Sequence, residues 1–388
     1  MAEQVAFVNG REDAGLAAEL YADAAAARLS LQSYAQSADL LPGTLSVWLD
    51  PSIDALANWA DLTPAWSRYF DQFEGVADVA SAAFQAKPDK KVVQTFIDET
   101  LSACLAMEPA WLSVPQLPHE DGVGKNKINR ALADATARWV QGSGFSGRLI
   151  LPIILTNRRQ SDKKADRTNK IKQVESCFKR SGAHGLWVVD SSLQDQKGSD
   201  TFSDRFESLV ALHAELKESI VGASPIIGGP YWGLGLVLWV RGLVTYPAIS
   251  MGSGYRYIIP GVQMRPGAKR IAIPPIRRWA VASPDLRKWL RDSAERVADQ
   301  EDACSEFLKL ESRFTQLSQV SKRQVATFHR KWTDSIEVHP VSGRSFALYQ
   351  DLSSAFVLGR RLPRLPKRTE SPGWDPAKVA QQLMLRCL

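Results

Sequence analysis

The sequence predicts an α/β protein of the TIM-like (β/α)8-barrel class, and three observations support this. Short apolar runs alternate with segments of helical periodicity through most of the chain. The runs typical of strands number eight, which is the count of a closed parallel barrel. Residues 224–260 read as strand, glycine-rich turn, short helix, strand and second glycine-rich turn. The barrel is expected to be irregular, because residues 252–270 lack a clear helix, and an open doubly wound parallel sheet is the runner-up.

The individual elements follow from the local pattern. The alanine-rich stretch from Glu12 to Asp39 is predicted to be helical, because alanine is the strongest helix former. Leu149 to Leu155 is a continuous apolar run, which is typical of a strand buried on both faces. The eight candidate strands lie near Val5, Val47, Leu112, Ile153, Val188, Ile226, Ile249 and Ile271.

The character of the chain changes after Pro284, where the sequence becomes strongly charged and helical. We therefore expect a β/α barrel domain over residues 1–283. Residues 284–388 are expected to supply the last barrel helix and then a helical, basic C-terminal extension that could bind a protein partner.

Charge and cysteine content limit the classes of partner and location. The net charge of +6 is unevenly spread, with basic clusters in residues 158–180, 265–278 and 360–368. Such clusters indicate either a nucleic-acid or other polyanion partner or a solvated surface. The four cysteines lack metal or redox spacing, so free thiols in a cytoplasmic location are expected. With no apolar run long enough to span a bilayer and no secretory signal, no membrane association is expected.

Polar residues follow most of the predicted strands, and the carboxyl ends of parallel strands converge on one face of a barrel. Asp190 and Asp50 each follow an apolar strand, whose burial would shift the pKa of a carboxyl group. Two such carboxylates can divide acid and base roles or supply a nucleophile. His119 is the only histidine at a predicted strand end and could act as a general base. The alternatives are a capping role for each aspartate and a surface position for His119.

A possible anion site follows the strand near Ile249, at a position where barrels often bind phosphate through backbone amides. The glycine-rich loop Gly252-Ser253-Gly254 lies there, and Arg256 adds a positive charge. Two further polar residues follow the strand near Ile153. The predicted anion-binding residues are therefore Gly252, Ser253, Gly254, Arg256, Arg158 and Asn157.

A possible pocket floor follows the strand near Ile226. Gly228 and Gly229 permit close approach of a ligand to the backbone, while Tyr231 and Trp232 offer rings on which a base could stack. The alternative is that these aromatic rings pack beneath the rim of the barrel.

The sequence contains no phosphate-binding loop of Walker spacing, no zinc-protease motif and no nucleophile elbow. It therefore identifies no cofactor and predicts no metal site. The first hypothesis is an enzyme, a transferase or hydrolase, that acts by carboxylate chemistry on a nucleotide, a nucleic-acid base or another phosphate-bearing ligand. The alternative is a non-catalytic nucleic-acid-binding or scaffold subunit that uses the three basic clusters.

Overall fold

Eight parallel strands close into a barrel in chain order, and β8 pairs back onto β1 with Ser250 opposite Phe7. The computed structural model describes residues 2–82, 88–119, 123–156, 162–193, 199–220, 222–251, 257–262, 269–293, 314–365 and 375–387. The closed ring confirms the TIM-like barrel and rules out the open sheet. The barrel strands are β1 (Ala2–Val8), β2 (Ala24–Ser30), β3 (Val47–Asp50), β4 (Trp111–Ser113), β5 (Arg148–Leu155), β6 (Gly185–Asp190), β7 (Ile226–Gly228) and β8 (Tyr246–Ser250).

Helices surround the barrel and continue beyond it. None of those in the described residues has both the length and the apolar character needed to cross a membrane. Short 3-10 segments span Ala38–Leu40, Ile53–Asp61 and Pro274–Ile276. The helices are α1 (Arg11–Leu20), α2 (Leu31–Tyr34), α3 (Pro64–Phe70), α4 (Val76–Ala82), α5 (Lys90–Leu105), α6 (Val123–Ser143), α7 (Lys164–Ser181), α8 (Ser199–Ser219), α9 (Leu234–Val240), α10 (Pro284–Asp292), α11 (Phe314–Glu337), α12 (Val341–Arg361) and α13 (Lys378–Met384).

Large aromatic side chains fill the interior of the barrel. Alternate residues of each strand point inward, and the inward set places the ring of Trp48 5.7 Å from Phe7 and 5.6 Å from Trp187. Ala26 on β2 and Ala248 on β8 belong to the same interior cluster. Small side chains on some strands therefore make room for indole rings on others, and the barrel is a packed core.

The prediction of a helix over the whole of Glu12 to Asp39 is wrong. Helix α1 ends at Leu20, and the alanine-rich residues form β2, which pairs with β1 on one side and β3 on the other. Burial explains the difference. All of β2 except its last residue is buried, and the tertiary demand for small residues beside the rings outweighs the helix propensity of alanine.

The predicted strand near Ile271 exists, but it is not part of the barrel. Residues Arg270–Ile273 form β9, which pairs antiparallel with β10 (Arg278–Val281) in a separate hairpin. The eighth barrel strand is therefore β8, which the sequence pattern placed seventh.

The C-terminal helices pack against the barrel. The hydroxyl of Tyr21, just after α1, donates to the carbonyl of Ala326 on α11 at 2.8 Å, and Lys322 of α11 forms an ion pair with Asp13 at 2.8 Å. Helix α12 lies against α9, where the guanidinium of Arg344 stands 4.6 Å from the ring of Trp239. Helix α11 thus packs against residues near the first barrel strands, and helix α12 packs against α9, which lies between the last two.

Candidate functional site

A cluster of buried charges lies at the C-terminal end of the barrel strands. Arg28 of β2 donates to Oδ2 of Asp50, at the end of β3, from Nε at 2.9 Å and from Nη2 at 2.6 Å. The hydroxyl of Tyr257 donates to Oδ2 of Asp54 at 2.7 Å and accepts from Nη2 of Arg28 at 3.3 Å. We call the side chains of Arg28, Asp50, Asp54 and Tyr257 the Arg28 cluster. Arg28 is 2% exposed, Asp50 4% and Asp54 3%.

The strand register explains why a guanidinium can remain charged inside the barrel. Arg28 lies between Phe7 on β1 and Trp48 on β3 in adjacent register positions. Its guanidinium carbon stands 4.6 Å from the ring of Trp187 and 5.0 Å from that of Phe7. Aromatic faces attract a desolvated cation, and Asp50 completes the ion pair. The second oxygen of Asp50 accepts from the backbone N–H of Ser52 at 2.6 Å, which fixes the carboxylate.

Asp54 is the member of the cluster that can exchange a proton near neutral pH. Burial and, secondarily, the negative charge of Asp50 raise the pKa of Asp54 to about 7. For Arg28, burial opposes the charge, but the nearby Asp50, Tyr257 and Asp54 more than offset it and raise the pKa above its ordinary value. The arginine is therefore a fixed cation, and Asp54 is poised as an acid or a base.

Residues Tyr257–Val262 cover the cluster. They lie along the 3-10 segment that carries Asp54, because Asn58 Nδ2 donates to the carbonyl of Pro260 at 3.1 Å and Thr63 N donates to that of Gly261 at 2.7 Å. Gly261 has a φ of +105°, and a Cβ there would lie 2.7 Å from the side chain of Leu62. Close packing thus holds Tyr257 against Arg28 and Asp54.

Asp50, predicted from its position after a strand, lies in this cluster, whereas Asp190 does not. Asp190 ends β6 on the side of Leu186 and Val188, which pack toward the helices. Its Oδ2 accepts from Nε of Arg205 on α8 at 2.5 Å, and its Oδ1 accepts from the backbone N–H of Ser192 at 2.9 Å. Asp190 is fully buried. The structure therefore gives it the geometry of a residue that joins β6 to α8.

This placement leads to a prediction for Asp190→Asn. The variant should lose about 2 kcal/mol of unfolding free energy, because the charge-assisted contacts from Nε and Nη2 of Arg205 are weakened in a buried position. The loss is limited because Arg205 also pairs with Asp162 at 3.2 Å. Urea unfolding at pH 7, followed by tryptophan fluorescence, measures it. A stability equal to that of the parent protein would show that Asp190 does not stabilise this junction.

His119 lies at the same end of the barrel, beside β5. The backbone N–H of His119 donates to the carbonyl of Ile154 at 2.9 Å. Nζ of Lys170 on α7 donates to the carbonyl oxygen of His119 at 3.5 Å. Burial and, secondarily, the charge of Lys170 lower the pKa of the imidazole to about 3. At neutral pH His119 is therefore an uncharged, buried side chain and not the surface residue of the alternative interpretation.

The predicted pocket floor is occupied by packing contacts. The hydroxyl of Tyr231 donates to the carbonyl of Val188 at 3.3 Å, and the ring of Trp232 stacks on Phe328 of α11 at 5.5 Å. A Cβ on Gly228 would lie 2.8 Å from Val244, and Gly229 has a φ of +100°. Gly228, Gly229, Tyr231 and Trp232 thus join the turn after β7 to the outer layer. The rings of Tyr231 and Trp232 are therefore packed within the fold, as in the alternative interpretation, and do not line an open pocket.

The predicted anion site, comprising Gly252, Ser253, Gly254, Arg256, Asn157 and Arg158, lies outside the described residues. Within the basic clusters, several members form ion pairs with aspartates of this chain. Arg180 pairs with Asp134 at 2.9 Å, and Arg277 pairs with Asp351 at 2.5 Å. Lys170 and Arg278 are buried. Exposed arginines remain at the end of α12 and just after it, at Arg360, Arg361 and Arg364.

Other features of the described residues do not add to this site. No group of three or more His, Cys, Asp or Glu side chains in the described part of the chain could hold a metal ion. A separate open depression of about 380 Å³ lies at the opposite end of β7 and β8, beside Ile226 and Thr245.

Sequence reasoning missed three members of the Arg28 cluster. Arg28 lay in a stretch predicted to be helical, Asp54 lies four residues beyond the end of β3, and Tyr257 is 203 residues from Asp54. The usable signal was an arginine set between Ala27 and Leu29, two residues before Ser30, which caps the next helix through its side chain. A charged residue at such a position is typical of an inward-facing site at a strand end.

The fold class follows from this geometry: the chain is a TIM-like barrel with surrounding helices. No family model matches it, and no curated protein matches it. Six chains of solved structures are similar. One is the carboxyl transferase domain of a Rhizobium etli pyruvate carboxylase variant, solved with pyruvate; it is 10% identical, with a TM-score of 0.39, over 98% of this chain and 70% of that one. A likeness of this degree carries no argument about function.

Proposed function

We propose that the protein is an enzyme that acts by carboxylate acid–base chemistry on a small phosphate-bearing ligand at the C-terminal mouth of the barrel. One observation carries the proposal. Asp54, with a pKa of about 7, stands in a buried cluster with a fixed arginine, at the end of the strands where barrel enzymes hold their active sites. A nucleotide, or a nucleic-acid base bearing phosphate, belongs to the proposed ligand class.

The cluster suggests a division of roles. Asp54 takes a proton from the attacking group and returns one to the leaving group, as a transferase or hydrolase requires. Asp50 holds the guanidinium of Arg28 in one orientation, and Arg28 stabilises negative charge that develops beside Asp54. Tyr257 shields the carboxylates from water until a ligand displaces it. His119, uncharged at the same end of the barrel, is assigned no proton transfer.

The charge balance indicates where the phosphate would bind. Asp50 already neutralises Arg28, so the cluster offers little net positive charge to a dianion. We therefore assign the phosphate to the sequence-predicted anion residues, of which Gly252, Gly254 and Arg256 follow β8. The reacting group then lies toward Asp54. This assignment separates the binding of the ligand from the chemistry performed on it.

The proposal is tested with purified protein and a panel of inorganic phosphate, pyrophosphate and nucleoside monophosphates. At least one of these probes should raise the Tm of the parent protein by mass action. Arg256→Ala should abolish that shift. Asp54→Asn should retain the shift but lose at least about 100-fold in phosphate release or group transfer, which is the usual scale of acid–base catalysis.

The matched control is Asp61→Asn, which makes the same chemical change at an exposed position of the same 3-10 segment. It should leave both binding and turnover unchanged. If no phosphate-bearing probe shifts the Tm of the parent protein, the ligand class is wrong. If Asp54→Asn turns over the bound probe at the parent rate, the acid–base role is wrong.

The exposed arginines after α12 favour a second candidate function, a non-catalytic scaffold subunit. Arg360, Arg361 and Arg364 lie close together on the surface at the end of α12 and just after it. Under this candidate a nucleic-acid oligomer should bind with an affinity that falls steeply as salt rises. That binding should be unaffected by Asp54→Asn and lost in a variant with all three arginines replaced.

A further inference from the structure

We propose that the exposed face of helix α12 is a docking surface for an acidic, amphipathic helix of a partner protein. This face is formed by Phe346, Gln350, Ser353, Val357 and Arg361, which recur at intervals of three and four residues. The proposal concerns the surface opposite the packed side of α12 and does not rest on the proposed enzyme function.

Two large apolar side chains stand on this face. Phe346 is 57% exposed and Val357 is 45% exposed, and they lie three helical turns apart, about 16 Å along the axis. Five of the seven large apolar side chains that are exposed in the described residues lie between positions 338 and 385. An isolated apolar residue on the surface is ordinary, but two large apolar side chains on one helix face, with exposed Val338 and Val341 just before and at the start of the same helix, favour an interaction site.

The charge of the surface is one-sided. Arg360, Arg361 and Arg364 lie at its C-terminal end and are exposed. The acidic residue of α12, Asp351, is directed into the fold, where it accepts from Arg277 and from Nε1 of Trp332. Residues 338–388 contain eight Lys and Arg but three Asp and Glu, so this segment carries most of the excess positive charge of the chain. Electrostatic complementarity therefore calls for an acidic partner.

The spacing favours a protein helix over a membrane or a nucleic acid. Gln350, Ser353 and Ser354 lie between the two apolar anchors, so inserting both anchors into lipid would also bury these polar groups at a cost. A helix that lies along α12 contacts both anchors through its own apolar stripe and leaves the polar groups at the edge of the contact. Phosphate binding alone gives Phe346 and Val357 no role.

Substitutions on this face can be made without disturbing the fold. The opposite side of α12 is buried at Leu348, Leu352 and Ala355. At Gly359, an added Cβ would lie 2.7 Å from the backbone of Ala377, which shows how closely that side packs. Phe346 and Val357 point away from this contact, so their replacement by serine removes the anchors and leaves the packed side intact.

The test uses the full chain and a synthetic peptide with leucines along one helical face and glutamates along both flanks. Binding is measured by fluorescence anisotropy of the labelled peptide at low salt. The parent protein should bind it, and Phe346→Ser/Val357→Ser and Arg360→Glu/Arg361→Glu should each weaken binding at least about tenfold. A lysine version of the peptide should restore binding to the arginine-to-glutamate variant. Met107→Ser, a change at an exposed apolar residue elsewhere, is the control and should have no effect.

Four outcomes would overturn the proposal. The first is equal binding of the peptide to the parent protein and to both double variants. The second is a dimer in light scattering that Phe346→Ser/Val357→Ser dissociates, because a second copy would then occupy the face. The third is that the parent protein does not bind the peptide but binds a DNA oligomer or anionic vesicles, and that the same double variants lose this binding. The fourth is peptide binding only after Glu295, Asp299, Glu301 and Asp302 are neutralised, because acidic residues of this chain would then be the occupant.

Discussion

Replacing Arg28 with methionine is expected to lower the free energy of unfolding by about 3–5 kcal/mol at pH 7. Methionine keeps the unbranched apolar stem of arginine but is shorter, so the loss combines the removed charge with a small cavity at the position of the guanidinium. It leaves Asp50 buried without the guanidinium that donates to it from two nitrogens, and it removes the cation from among the rings of Phe7, Trp48 and Trp187. Urea unfolding followed by tryptophan fluorescence measures the difference.

The matched control is Arg11→Met. Arg11 also forms an ion pair with an aspartate, Asp39, at 3.0 Å, but their side chains are 61% and 58% exposed. Water screens such a pair, so this variant should lose no more than about 1 kcal/mol. In Arg28→Met/Asp50→Asn neither buried charge remains, and part of the lost stability should return. If Arg28→Met costs no more than Arg11→Met, the Arg28 cluster does not depend on its ion pair.

The barrel was predictable because its main determinants are local in the sequence. Apolar runs such as those in β5 and β6 are long and lie between segments of clear helical periodicity. The turn after β7 and the short helix α9 follow from glycines and a compact apolar stretch in residues 228–240. Such patterns depend on the period of the backbone and not on which strands become neighbours.

Strand β2 could not be predicted in this way, because its residues are chosen by distant neighbours. Ala26 is small because Trp48 and Trp187, from β3 and β6, occupy the same interior cluster. No local pattern carries that information, and the intrinsic preference of alanine points to a helix. Missing β2 removed Arg28 from the candidate residues and shifted the count of the later strands by one.

The site was predictable only where a strand ends in a functional residue. Asp50 closes β3 and was found by that rule. Asp54 comes after the strand, in a 3-10 segment, and meets Tyr257 because residues 257–262 lie along that segment. Asp190 satisfies the same rule as Asp50, yet it faces the outer helices. Strand ends thus indicate the end of the barrel but not the side to which a residue points.

Asp54→Asn is expected to stabilise the protein at pH 8 by up to about 4 kcal/mol, while leaving its stability at pH 4 nearly unchanged. The pKa of Asp54 is about 7 in the fold against an ordinary value of 3.8. Between these values the folded chain holds a proton that the unfolded chain has lost, so this residue makes the free energy of unfolding fall as pH rises through that range. Raising the pKa from 3.8 to about 7 corresponds to about 4 kcal/mol. Asparagine stays neutral at every pH.

The quantity to measure is the difference in the free energy of unfolding between the variant and the parent protein at each pH. The pH profile of either protein alone does not isolate Asp54. Burial lowers the pKa of His119 to about 3 and the pKa values of His213 and His329 to about 4. These histidines make stability rise with pH over part of the same range, but they are present in both proteins and cancel in the difference. Urea unfolding of both proteins from pH 4 to pH 8 gives the curve.

The shape of that curve separates a proton-exchanging residue from an ordinary buried one. The difference should grow from pH 4 to about pH 7 and then stay constant, because the aspartate is fully ionised in both states above its folded pKa. Asp61→Asn, at an exposed position of the same segment, should show no such trend. A difference that is independent of pH would mean that Asp54 ionises in the fold at its ordinary pKa. It would then lack the pKa near the working pH that lets one carboxyl group both take up a proton and return it efficiently.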